Sequence, residues 1–544
     1  MTNPIVQTVL SATKAPAPPT LQKTGAMLSQ GGTTTAPGTL SLITQPSDLT
    51  PLLAGAQTLA SLTQTGGVAT ATLENTTIAS GTYNSTTGLV TLTLTADVSV
   101  KQGDLVTVAS ATGTGSFASI NGTFQAGAGS TGTTLTYTVA PSLTMTITGG
   151  NVNATTGLAT NAQFLTTIAG SSIAAYNGTV LATVASATTF TYSIPSATAS
   201  PATGTPTATP PSVAELVAMV TTFFAQGSQQ SVYVLELGAG TPAQGVTYLP
   251  TWLAANPGII YAFLVSRLWD SVAGFLTLMA SYEALTSKLY FFITSTITNY
   301  VNYTKLMKCA FVMVEAPIVP ASAPLEFDAA AAFYVLLNQA PSSTNRVPQM
   351  AFQFLYGVTP YPLPGNGSLL TTLAAANINY VGTGAEGGIS TAVLFFGTTA
   401  DGNDLLKWWY GIDWAQINSD ITIANTVVNG SNNPSNPLLY NQDGINRLQA
   451  SEASLMQSGV ADGIVLGPVV LTQLDTATFN SNVQNGVYAD QTPINAVPFL
   501  SYTAANPSDY SIGKYGGLSV ALTPQLGFKQ IVFNINVSSF VAGR

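Results

Sequence analysis

Between Asp104 and Glu215 the chain runs for 110 residues without one charged side chain. Through this region and just before it, alternating β-formers recur: Leu89-Val90-Thr91-Leu92-Thr93-Leu94, Leu135-Thr136-Tyr137-Thr138-Val139 and Thr189-Phe190-Thr191-Tyr192-Ser193-Ile194. Gly- and Asn-rich turns separate them, so residues 61–211 read as short antiparallel strands. The segment also repeats itself. Ile120-Asn121-Gly122-Thr123-Phe124 with the strand after it matches Tyr176-Asn177-Gly178-Thr179-Val180 with its own following strand. This predicts two related β modules, each with an Asn-Gly turn of the hairpin type. A disordered low-complexity linker is the competing reading, and the aromatic alternation speaks against it. The proline- and threonine-rich stretch Ala199–Pro211 reads as a linker.

Scarcity of charge extends to the whole chain. Only 6% of its 544 residues are charged, against roughly 25% in ordinary soluble proteins. Thirteen basic and 22 acidic residues leave a net charge of −9, with no histidine and one cysteine, Cys309. Imidazole-dependent nucleophile systems are therefore excluded, as are intrachain disulfides and Cys/His zinc sites. So few scattered basic residues give no electrostatic footprint for nucleic acid. The 46% apolar content is enough for a substantial core. A weakly charged surface does little to keep copies apart, which suits either relaxed charge usage or packing against many copies of itself.

The first residues, MTNPIVQTVLSATKAPAPP, lack a basic segment followed by an apolar one, and no run of about 18 apolar residues occurs. The expectation is a soluble, cytoplasmically made chain with no membrane insertion. Residues 1–60 read as an extended arm leading into the start of a core, since the prolines of Ala15–Pro19 disfavour helix. The apolar run Ile5-Val6-Gln7-Thr8-Val9-Leu10 is either a frayed terminus or a strand donated to another subunit.

From residue 212 helix and strand alternate. Ser212-Val213-Ala214-Glu215 has the spacing of a capping box opening a helix. Strands follow at Val232–Leu235, Leu289–Ile293, Cys309–Val314, Ile378–Val381 and Thr391–Phe396. Helices are expected near 271–286, 327–338 and 369–376, then from about 403 and near 444–457. The pattern is that of an α/β (α+β) multidomain chain with a largely buried mixed sheet over 212–490. Residues 491–544 read as β-rich. In the last strand Ile531, Phe533, Ile535 and Val537 form one apolar face, which must be buried.

Carboxylates are the remaining acid–base candidates, in two sequence clusters: Glu315, Glu326 and Asp328, and Asp401, Asp404 and Asp413. A glycosidase needs two that face each other, and the spacing shows no such convergence. Asp328 and Asp404 are better explained by helix starts. Gly382-Thr383-Gly384-Ala385-Glu386-Gly387 has the spacing of a phosphate-binding loop but leads into a β-prone run, so a tight loop is the better reading. No catalytic residue, cofactor or metal ligand is assigned.

The order of segments over residues 212–544, with the N-terminal arm, resembles the tail sheath proteins of contractile-tailed bacteriophages. Val220-Thr221-Thr222-Phe223-Phe224-Ala225-Gln226-Gly227 leading into Val232–Leu235 is similar to the opening helix and strand of the sheath core. Ala375-Ala376-Asn377-Ile378-Asn379-Tyr380-Val381-Gly382 resembles a later helix-to-strand step. The block Asp401–Asp420, with Trp408-Trp409-Tyr410, and then Asn436–Asn441 is similar to one phage subfamily. The modules at 61–211 resemble the outer domains inserted at variable positions in these proteins. The resemblance implies a virion subunit, assembled in the host cytoplasm, whose partners are identical copies, the tail tube, the baseplate and the tail terminator. It implies terminal arms that add strands to neighbours, here carrying Ile5, Val6, Val9 and Leu10 at one end and Ile531, Phe533, Ile535 and Val537 at the other. A self-assembling surface-layer or adhesin-type protein is the rival class.

Overall fold

The computed structural model describes residues 21–528 apart from 97–99, 101, 103, 115–118, 140–144, 239–241, 285–286, 304–306, 317–325, 363–365 and 384–390. The core opens with β1 (Gly25–Ser29) and β2 (Leu40–Ile43). The chain then leaves it for twelve strands: β3 (Gln57–Thr65), β4 (Val68–Leu73), β5 (Asn75–Tyr83), β6 (Leu89–Leu94), β7 (Leu105–Thr114), β8 (Gly122–Gln125), β9 (Thr134–Thr138), β10 (Thr146–Ala154), β11 (Gln163–Ser171), β12 (Gly178–Ser186), β13 (Thr189–Ser193) and β14 (Gly204–Ala208).

These strands form two bodies of one topology, one nested inside the other. The strands β11-β12-β13-β4-β3-β14 close into a barrel in which every neighbouring pair is antiparallel. The sheet β8-β7-β10-β5-β6-β9 has the same order and pairing when β5 to β10 are matched to β3, β4, β11, β12, β13 and β14. Its final seam, between the β8 and β9 ends, is bridged by Gly127 N–H donating to Thr136 O at 2.6 Å. The repeat in the sequence marks equivalent loops. Asn121 Oδ1 accepts from Ala111 N at 3.0 Å, and Asn177 Oδ1 accepts from Ser171 N at 3.1 Å. Below each loop a buried tyrosine donates to its backbone: Tyr137 to Ile120 O at 2.9 Å and Tyr192 to Tyr176 O at 3.1 Å. Burial pushes both phenols up in pKa, in keeping with hydroxyls that act as donors. The Asn-Gly pairs are therefore not two-residue hairpin turns. Each closes a longer loop, and its asparagine ties that loop to the strand before it.

Each body has its own apolar core, around Val90, Leu92 and Val106 in one and Phe164, Phe190 and Tyr192 in the other. The ends of the inner body lie side by side, because Asn75 pairs with Asn153 and Ala154 N donates to Glu74 O at 3.0 Å. Residues 75–154 expressed alone are thus expected to fold as a β-rich monomer with a cooperative melt. The chain rejoined across Glu74 and Thr155 should stay soluble. Circular dichroism and thermal melts of both pieces check this, and an unfolded fragment would show that the two cores share their stability.

The expected linker at 199–211 is corrected. β14 lies within it and closes the barrel between β11 and β3, with buried Pro206 beside an irregularity in the β11 register where no ladder N–H is needed. The chain re-enters the core at α1 (Pro211–Ala225), capped by Pro210, with no side-chain cap bond. The predicted capping box is therefore absent, and Glu215 is engaged elsewhere.

Helix and strand then alternate: β15 (Val232–Glu236), α2 (Pro242–Ala255), β16 (Ala262–Leu264), α3 (Ala273–Ala280), β17 (Tyr290–Ser295), β18 (Ala310–Val314), α4 (Asp328–Leu337), α5 (Gly367–Ala375), β19 (Asn379–Thr383) and β20 (Ala392–Phe395). The eight-stranded sheet has the order β2-β15-β1-β16-β17-β18-β19-β20. Its inner strands are parallel and its two edge strands antiparallel. Helices cover both faces, so β17 and β18 are buried throughout, as a parallel sheet requires. Tyr290 and Phe292 point to the face covered by α1 and α4, while Phe291 and Ile293 point to that of α2, α3 and α5. The alanines of α4 let it lie close to the sheet. A Cβ at Gly25 would come within 2.4 Å of Leu337 Cδ1 and 2.5 Å of Phe333 Cζ, so a larger residue there would have to displace the α4 side chains from the sheet.

After a π-helical turn at Leu405–Trp409 come α6 (Tyr410–Ser431), α7 (Gln442–Ala461), β21 (Val469–Thr472), α8 (Thr476–Gln484), β22 (Thr492–Ala496), α9 (Phe499–Ala505), α10 (Pro507–Ser511) and β23 (Leu518–Val520). A three-stranded sheet, β21-β22-β23, packs on α7, where Gln449 Nε2 donates to Thr472 O and Ile494 O, each at 2.8 Å. The expected β-rich end is therefore mixed. Pro498 and Pro507 do not merely punctuate strands: they stand at the starts of α9 and α10. The chain is an α/β multidomain protein with a mixed sheet flanked by helices and inserted all-β modules.

Candidate assembly surfaces and buried charged sites

The eight expected arm residues, Ile5, Val6, Val9, Leu10, Ile531, Phe533, Ile535 and Val537, lie outside the described residues. Leu21 and Gln22 are buried, and Gln22 Nε2 donates to Tyr410 O at 2.9 Å in the first turn of α6. At the other end the chain runs beside residues 464–466, with Leu466 N donating to Thr523 O and Gln525 N to Ile464 O, both at 2.9 Å. Pro524 lies against Gly411, in the same turn of α6. Gln22 and Pro524, near the two ends of the described chain, therefore meet the same turn of α6, and Phe528, 78% exposed, is the last residue described.

Open sheet edges are available. Among the described residues β21 and β23 each pair on one side only, as does β2, where Leu42 is half exposed. The other edge of the large sheet is blunted: Phe352 N, Gln353 O and Leu355 N bond along β20. Leu439, Leu471, Leu500, Tyr510 and Ile512 leave a large part of their apolar surface exposed around the small sheet and α9–α10.

The two carboxylate clusters separate. Asp404 caps the π-helical turn through Lys407 N at 2.8 Å, and Asp401 accepts from Asn403 N and Trp409 Nε1, each at 3.0 Å. Asp413 faces another way, buried, and accepts from Tyr261 and Tyr290 hydroxyls at 2.9 and 2.8 Å. Burial pushes its pKa up while Lys308 and the two phenols pull it back. No acid–base pair facing a cleft results. Glu315 and Asp328 do converge, together with Arg267 and Glu215, which the sequence clusters did not include. Asp328 opens α4, but its carboxyl is fully buried, so favourable contact of a charged group with the helix dipole does not account for it. The segment carrying the glycine motif connects β19 to antiparallel β20, and its residues 384–387 lie outside the described residues.

A buried carboxylate with five donors, Glu236 at the end of β15, was missed in the sequence. Ser29 Oγ, Gly31 N, Thr33 N, Thr33 Oγ1 and Gly238 N all donate to it, at 2.7, 2.7, 3.1, 2.7 and 2.8 Å. Its only sequence signal is a charge directly following an apolar strand. Among the described residues no group of three or more His, Cys, Asp and Glu could hold a metal ion, and no helix is long and apolar enough to cross a membrane.

No family model and no curated protein matches the chain. Among solved structures it is similar to a sheath tail protein from Listeria innocua, with a TM-score of 0.33 and 8% sequence identity over 84% of this chain and 86% of that one. At that level the likeness decides neither the family nor the role of any residue.

Proposed function

We propose that the chain is the subunit of a contractile phage tail sheath, polymerising around a tail tube by exchange of terminal strands. The observation that carries this reading is the turn of α6 that Gln22 and Pro524, near the two ends of the described chain, both meet, together with a small sheet that has two open edges among the described residues. An alternating apolar segment such as Ile531–Val537 is the natural occupant of such an edge: backbone hydrogen bonds hold it, and alternate side chains fix its register. A donor site and an acceptor edge on one subunit form a heterologous contact, which propagates into a helical array unless the rotation closes a ring. A surface with 6% charged residues opposes such crowding weakly. In this reading the subunits slide on contraction while the strand joints keep them linked, and the partners are the tube, the baseplate and the tail terminator.

Negative-stain microscopy of the purified chain tests the proposal: helical tubes support it, and dispersed monomers under all assembly conditions overturn it. The barrels give a second expected outcome. Gln57 pairs with Ala208, so the inserted region can be cut out at adjacent points. A chain lacking residues 57–208 is expected to form tubes of smaller outer diameter. Loss of tubes with the core still folded would show that the barrels are part of the assembly joint.

A further inference from the structure

Four ionisable side chains meet where the start of α1, the ends of β16 and β18 and the start of α4 come together. Arg267, just past β16, donates through Nη1 to Glu215 Oε1 at 3.0 Å and through its backbone N to Glu215 Oε2 at 3.1 Å. Its Nη2 reaches Glu315, just past β18, and the carbonyl of Glu326, and its guanidinium lies 4.3 Å from the Phe327 ring centroid. Glu315 Oε2 accepts from Asp328 N at 3.3 Å. Asp328 itself is 0% exposed, and among the described residues neither of its carboxyl oxygens has a hydrogen-bond partner.

The charges do not balance if every group is ionised. One guanidinium faces the carboxyls of Glu215, Glu315 and Asp328, and a buried anion with neither a cation nor a donor is among the most unfavourable arrangements in a protein. Other groups nearby do not supply the missing charge. Glu326, half-buried, adds a further acid, and Asp270 is occupied by Ser295 Oγ, Thr296 N and Asn299 Nδ2 at 2.9, 3.3 and 2.9 Å. Residues 317–325, which join Glu315 to this site in the chain, contain no ionisable side chain. A cavity of about 300 Å³, lined by Arg267, Asp270, Thr294 and Glu315, lies alongside.

We propose that this cluster is a proton-held latch: with a proton retained by the Glu315–Asp328 pair it pins the starts of α1 and α4 to the ends of β16 and β18, and on losing that proton it opens. The position gives the latch its consequence. Glu215 stands at the beginning of the helix onto which β14, the last barrel strand, hands the chain, through buried Pro210 and Pro211. Opening would loosen the joint between the inserted barrels and the core while leaving both folded. The energetic direction agrees. Burial pushes Glu315 up to about 7, against the pull of Arg267, and pushes Asp328 well above the carboxylate range, with Glu315 adding to the rise. Both folded-state values are raised, so the unfolded chain releases these protons at lower pH than the folded one. The stabilisation is complete below the ordinary carboxylate range and is lost as pH rises through the folded-state value of Glu315 and beyond.

Hydrogen exchange of the full chain between pH 6 and pH 9, corrected for intrinsic exchange rates, tests the latch. Peptides spanning 209–219 and 326–333 are expected to lose protection by about tenfold or more, the equivalent of one pKa unit, while barrel peptides stay unchanged. Asp328→Asn, which cannot ionise, should abolish that dependence, and Glu315→Gln should do the same if the first variant does not fold. A flat wild-type profile overturns the proposal, and so does an equal loss of protection in either folded variant.

Discussion

A chain truncated after Lys529 is expected to fold, to melt at the wild-type temperature and to remain dispersed where the full chain forms tubes. Folding should survive because, among the described residues, the packing on the faces of the large sheet is built from residues up to Leu522. Assembly should fail because, under the proposed function, this segment is the donated strand, and its sequence places Ile531, Phe533, Ile535 and Val537 at alternate positions. Burying four such side chains contributes on the order of 6–12 kcal/mol before the cost of ordering the arm, enough to decide whether a joint forms. Size-exclusion chromatography with light scattering, negative-stain microscopy and a thermal melt read the three expectations together. Tubes from the truncated chain would remove residues 530–544 from the joint, and a lowered melting temperature would place them in the subunit's own core.

The α/β core was legible because its signals are long and redundant. β17 and β18 are unbroken apolar runs between helical patterns, and the positions expected for them agree with the structure to within a residue or two. What was lost depended on contacts distant in sequence. Ser212 and Glu215 have capping-box spacing, but Pro210 and Pro211 already start α1, which leaves Glu215 free for Arg267, 52 residues away. The proline-rich stretch before it looked like a linker because composition reports stiffness, while the pairing of β14 with β11 and β3 is a property of the closed barrel. The duplication was visible through Asn121 and Asn177, yet its nesting was not, since β3 and β4 lie before the first module and carry no copy of the motif. For the arms, the alternation of Ile531–Val537 implies a buried face without saying against what.

Glu236→Ala is expected to be the most damaging single substitution outside the sheet's apolar core, at about 3–6 kcal/mol of folding stability. The carboxylate, 0% exposed, joins the loop between β1 and β2 to the end of β15 by accepting from three backbone N–H groups and two hydroxyls. The hydroxyls of Ser29 and Thr33 can rotate to other acceptors, but the N–H groups of Gly31, Thr33 and Gly238 cannot. Each buried donor left without an acceptor costs about 1–3 kcal/mol, and water entering the space relieves part of the sum. Burial pushes the Glu236 pKa up, and the Gly31 and Gly238 N–H groups with the Ser29 and Thr33 hydroxyls pull it back, so the group is held as an acceptor only by keeping its ring of partners. Glu236→Gln separates charge from shape. It preserves volume, but its amide nitrogen must face Gly31 and Gly238 or Ser29 and Thr33, all of which donate. It should therefore lose about half as much as the alanine variant. Urea denaturation of the two variants checks the order. Equal losses would mean that volume alone holds the loop, and a loss below about 1 kcal/mol for the alanine variant would mean that the loop finds other acceptors.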